Sequence, residues 1–158
     1  MRGFTVAQEG HVVHALPPIN ATSGASCDRF TMKNYSHATI IVMLGVTTLA
    51  PTSIIVNSCT AATAGTATAI GFDYYAELTA AGDTLGAKTT VAATGITTVT
   101  ANDNTMYIIE LDDSQLLDGA PFVEVVLDIV SATSVLAAVV VVLSGARYGA
   151  DQSVTALA

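Results

Sequence analysis

Tryptophan is absent from this 158-residue chain, and only five residues are basic. Those five (Arg2, Arg29, Lys33, Lys88 and Arg147) are scattered, and against 13 acidic residues they leave a net charge of -8. Binding to a polyanion releases counterions only where Lys and Arg cluster, so direct binding of DNA or RNA is not expected. Charge of either sign is scarce: 11% of residues, where an ordinary soluble domain has roughly 25%. Such a surface is largely uncharged or lies against a partner. No apolar run reaches bilayer length either. The longest, Val135–Leu143, has nine residues, and a membrane-spanning helix needs about 20.

Cysteine is nearly missing. Cys27 and Cys59 are the only two, and the opening "MRGFTVAQEGHVVHALPP" has no apolar segment of signal-peptide length. The expectation is a pair of free core thiols in a protein made in a reducing cytoplasm.

Catalytic and ligand-binding signatures fail one by one. "GDTLGAKT" (82–89) has Ala87 where a phosphate-binding loop needs glycine before the lysine, and it leads into a turn. His11, His14 and His37 lack the companion Cys or acidic spacing of a zinc site. Asp103, Asp112, Asp113 and Asp118 lack the glycine and terminal Glu of a calcium loop, and turn or capping chemistry accounts for them. There is no G-x-S-x-G elbow, and Cys27 and His37 show no nucleophile pattern. Asp73 and Glu77 share a strand face, but the sequence shows no cleft for a carboxylate pair. No enzyme, cofactor or resident metal is expected.

What is present is β structure. Twenty-six alanines and 22 threonines give a hydroxyl-rich, strand-prone texture. Short apolar runs recur about every ten residues, separated by Gly, Pro, Ser, Asn and Thr. The predicted strands are 28–33, 39–46, 53–59, 68–78, 84–92, 105–111, 122–130 and 135–143. Alternation is clear in "FVEVVLDIV", where Val123, Val125, Leu127 and Ile129 oppose Glu124 and Asp128. It recurs in "IGFDYYAEL", with Ile70, Phe72, Tyr74, Ala76 and Leu78 on one face, and in "TMYIIEL", with Tyr107, Ile109 and Leu111. One short helix is expected at 112–118, stopped by Gly119 and Pro121. The pattern predicts an all-β, antiparallel sandwich, a jelly roll among the arrangements it allows, with extended N- and C-terminal arms. Residues 1–26, with the Pro17–Pro18 pair, read as an irregular arm, 27–145 as the sandwich and 146–158 as a C-terminal tail. The valine-rich run, apolar on both faces, is a strand that something must cover on both sides.

Three segments, "GFTVAQEGHVVHALPP", "IGFDYYAELTAAGDTLGA" and "LSGARYGADQSVTALA", resemble small virion structural proteins of tailed bacteriophages. These are capsid-associated proteins of the head decoration or cement type. The resemblance implies a sandwich that binds the major capsid protein and copies of itself at the capsid surface, after synthesis in the host cytoplasm. It implies no membrane partner and no catalytic residue. The expected interface residues are Arg147 and Tyr148 in the tail and Phe4, His11 and His14 in the arm, with both ends lying across neighbouring subunits. Tail-tube or head–tail connector subunits are the nearest alternative. A carbohydrate-binding jelly roll, with Tyr35, Tyr75 and Tyr148 as its candidate aromatics, is a further one.

Overall fold

The computed structural model describes residues 5–79, 83–97, 99, 103–129, 134–147 and 157. A four-residue helix, α1 (Val6–Glu9), precedes β1 (His11–Ala21), β2 (Ala25–Ser26), β3 (Phe30–Thr31), β4 (Tyr35–Thr47) and β5 (Ser53–Cys59). Then follow β6 (Ala67–Ile70), β7 (Phe72–Glu77), β8 (Thr89–Val91), β9 (Thr105–Asp112), β10 (Phe122–Asp128) and β11 (Val135–Ala146). A six-stranded sheet in the order β1-β11-β4-β9-β7-β8 packs on a second sheet in which β10 lies between β5 and the short β2 and β3, with β6 beyond β5. Every pairing is antiparallel. This is the predicted β-sandwich.

Period-two alternation fills the space between the sheets. Val123, Val125 and Leu127 of β10 and Ile54 and Val56 of β5 are fully buried. They meet Ile40 and Val42 of β4, Tyr107 and Ile109 of β9, and Val139 and Val141 of β11 in one continuous apolar cluster. The predicted inward residues Val125, Leu127, Tyr107, Ile109 and Phe72 all lie in it, and Tyr74 packs on it half-buried. Both cysteines are free thiols and buried.

The structure departs from the sequence reading at several places. The stretch read as an irregular arm contains β1, because its prolines fall where an edge strand tolerates them. Proline has no N–H to give a ladder. Pro17 and Pro18 sit in the register slip between Leu16 and Ile19, and β1 pairs with β11 alone. The run 68–78 divides at Gly71 into β6 in one sheet and β7 in the other. A side chain at Gly71 would stand 2.8 Å from the Val91 carbonyl oxygen, so only glycine makes this crossing. The alternation there also fails at its end: Glu77 is buried and Leu78 exposed, since Thr79 turns back to donate its N–H and hydroxyl to Glu77 Oε1.

The expected strands at 28–33 and 84–92 shrink to β3 and β8. The helix expected at 112–118 is a single 3₁₀ turn, Asp113–Gln115. The Leu117 N–H goes to Ser58 Oγ rather than to a helical carbonyl, which draws the chain out straight. Finally, the tail returns to its own domain at one described point, where Leu157 forms an antiparallel bridge with Phe30 and packs against the core. The remainder of the tail after Arg147 lies outside the described residues.

Burial predicts the cost of truncation. Leu127→Ala should lose about 2–5 kcal/mol of unfolding free energy in urea, whereas Asp128→Ala, one residue on and exposed, should stay within about 0.5 kcal/mol. Equal losses at the two positions would contradict the assigned faces.

Candidate functional site

The outward side of the six-stranded sheet carries a cluster of polar groups and, beside it, rows of apolar side chains. Alternation puts His37 and Thr39 of β4, Glu110 and Asp112 of β9, and Asp73 of β7 on that side, and the register sets His37 opposite Asp112 and Thr39 opposite Glu110. His37 Nδ1 lies 2.8 Å from Asp112 Oδ1, and its Nε2 lies 2.8 Å from Glu110 Oε2. Thr39 donates its hydroxyl to the same Glu110 oxygen at 2.8 Å. On the next strand Asp73 accepts from Lys88 Nζ at 2.9 Å and from the Thr90 hydroxyl, and these hydrogen bonds hold its carboxyl below the usual range.

Two carboxylates can both accept from one imidazole only when both ring nitrogens carry protons. Burial of the ring lowers the His37 pKa, but the hydrogen bonds and charges of Asp112 and Glu110 outweigh it, so it rises above its ordinary 6.5. An imidazolium engaged on both sides has no lone pair to offer as a base or a metal ligand. The cluster is a closed set of charge pairs.

The other candidates from the sequence do not converge. His11 sits 5.9 Å from the Tyr35 ring, His14 points outward from β1 opposite Val140, and His37 is two strands further on. Among the described residues no three His, Cys, Asp or Glu side chains are placed to hold a metal ion. Cys27 lies in the other sheet region, where its sulfur accepts the Val125 N–H at 3.1 Å, and burial pushes its thiol up to about 12. Arg147 pairs with Asp113 of its own chain, and its N–H donates to the Asn34 carbonyl, so its described partners are internal. These two residues line a cleft of about 460 Å³ with Met32, Leu116, Leu117 and Asp118. Phe4 and Tyr148 lie outside the described residues.

Sequence reading found the two-faced apolar strand at 135–143 but missed the surface it shares with its neighbours. Beside the charged cluster, the outward residues of neighbouring strands align in apolar rows. Val140 stands opposite Ile41, which stands opposite Ile108, with Tyr75 beyond. Ala138, Met43 and Met106 form the next row. Val12 and Val142 flank one end, and Leu136 the other, beside a groove of about 360 Å³ between Pro18, Met43 and Gly45. Val12, Met43 and Leu136 are 40–50% exposed. Among the described residues no strand or helix lies over these rows, although Gly10 packs against Val142 at one margin. The signal was available in the outward positions of β4 and β9, "IIVML" and "MYII", which are apolar where a wet sheet face would be polar.

Two outcomes check this chemistry. A group whose pKa is higher folded than unfolded stabilises fully below the unfolded value and loses that contribution as pH rises through the folded one. The stability advantage of the native chain over His37→Gln should therefore be greatest near pH 6, about 0.2–1 kcal/mol for pairs this exposed, and should fade above the raised pKa. Melting curves at pH 6 and pH 9 read it, and a constant difference would refute the double pairing. The second outcome concerns thiols: neither cysteine should react with a disulfide reagent at pH 8 until the chain unfolds.

No protein family and no curated protein matches the chain. Among solved structures it is similar to SPBc2 prophage-derived protein YomS, at 17% identity over 84% of this chain and 95% of that one, with a TM-score of 0.44.

Proposed function

We propose that this chain is a non-enzymatic structural subunit of a phage virion, a decoration or cement protein that binds the outer surface of the head shell. The observation that supports an assembly role is the open apolar face. Monomeric soluble proteins rarely leave contiguous apolar patches of more than a few hundred Å² uncovered, and larger ones mark interaction surfaces. The polar groups beside it are engaged with one another, which supports a role in contact rather than in chemistry. The placement on a phage head rests on the three segments that resemble capsid-associated proteins. A net charge of -8 suits the outside of a shell, away from a packaged polyanion.

Counting tests this reading. Particles purified from a lysate of the producing host should contain the chain at a copy number comparable to that of the shell protein, by quantitative mass spectrometry. Labelling with an antibody should mark the head surface. Particles free of the chain would overturn the proposal.

A further inference from the structure

We propose that the outward face of the six-stranded sheet is a self-association surface on which a second copy of this chain docks face to face, its strands antiparallel to those of the first. This deepens the assembly reading and rests on it for its biological setting, but its geometry stands on the fold.

Area comes first. Strands lie about 4.8 Å apart and rise about 3.4 Å per residue, so β1 to β7 between the Val142 and Leu136 levels span roughly 400–570 Å², including the polar level of Thr39, Glu110 and Asp73. A stable pair buries roughly 800 Å² per partner, so the face supplies about half to two-thirds of that and the contact it makes is a weak one. Its relief suits another sheet. The β-branched side chains Val140, Ile41 and Ile108 make a flat row, and flat β faces pack on one another about 10 Å apart. This chain itself carries such a surface, and an isologous two-fold contact needs only one patch.

Charge then selects the orientation. The closed cluster of His37, Glu110, Asp112, Asp73 and Lys88 occupies one end of the face, and the Leu136 groove occupies the other. A two-fold axis between the faces and perpendicular to the strands overlays the apolar rows and sends the two clusters to opposite rims. An axis along the strands would set Asp112 against Asp112, which like charges oppose. The outward side of the second sheet is a poorer candidate, since β10 presents Glu124, tied to Arg29 at 3.5 Å, and the exposed Asp128 there.

The experiment uses the purified full-length chain in sedimentation velocity over a concentration series. Expected is a monomer–dimer equilibrium that strengthens as salt rises, because salt screens the repulsion between two chains of net charge -8 while the apolar contact remains. Val140→Lys and Ile108→Lys, both at outward positions, should each weaken it about tenfold or more by burying an unpaired charge, with unchanged melting curves. A native chain that stays monomeric at roughly 100 μM, or folded lysine variants that dimerise as the native chain does, would overturn the proposal. Should the lysine variants not fold, Met43→Cys decides. The two native thiols are buried, so the new one alone reports. Its labelling should slow as concentration rises, and concentration-independent labelling would refute the contact. A chain that is monomeric in solution yet abundant in particles would defeat this inference alone. A dimer absent from particles would defeat the virion reading alone.

Discussion

The valine run of β11 is the constraint around which the rest of the molecule is arranged. Its inward residues, from Val135 to Leu143, are almost wholly buried, and it is the one strand that holds both the N-terminal β1 and the long β4 in place. A strand with large apolar groups on one face needs one opposing layer, which β10 and β5 supply. Here Leu136, Val140 and Val142 face the other way, with no described strand or helix above Leu136 and Val140 and with Gly10 packed against Val142. Removing them from water is worth roughly 25 cal/mol per Å², and folding of the chain leaves Leu136 exposed and Val140 and Val142 half-buried. The same strand therefore completes the core on one side and leaves an apolar row on the other.

The charged cluster beside that face resolves a problem that the topology sets. β4 and β9 must carry polar side chains where the sheet meets solvent, yet three carboxylates, Asp73, Glu110 and Asp112, converge across two adjacent strand pairs. Facing carboxylates repel, and the sheet meets that repulsion by interposing cations. His37 lies between Glu110 and Asp112, and Lys88 folds over Asp73. The arrangement looks like an acid–base site by composition, but with each ring nitrogen of His37 held by a carboxylate the imidazole keeps no free lone pair.

Much of the fold was legible because alternation is local. In β9 and β10 a reader needs only the neighbouring residues to assign the faces, and Tyr107, Ile109, Val125 and Leu127 are buried as their pattern requires. Three features were not legible, for distinct physical reasons. Pro17 and Pro18 argued against a strand, but their cost depends on whether β1 is an edge, which is a property of the whole sheet. Gly71 stood within an unbroken apolar alternation, and only the approach of the Val91 carbonyl shows that the chain changes sheets there. The pairing of His37 with Glu110 and Asp112 joins residues more than 70 positions apart, so no spacing rule contains it. The apolar rows were legible only strand by strand, in the apolar outward positions of β4 and β9. Ile41, Ile108 and Val140 are unremarkable singly and become a surface only when register aligns them.

How the sheets end bears on how such a surface can be used. An exposed strand edge invites open-ended pairing, and natural sheets blunt their edges with prolines, bulges and short strands. Each edge here is blunted. β1 has two prolines and two register slips, β8 has three residues, β2 and β3 have two each, and β6 has four. Growth of the sheet by addition of strands is thereby disfavoured at every rim, while the apolar face is left open. Edge pairing propagates without limit, whereas a face that meets its own copy across a two-fold axis closes the contact and stops. On the proposed reading the combination suits a subunit that associates in a counted, symmetric way, with the valine-rich run, otherwise an aggregation hazard, covered by that contact.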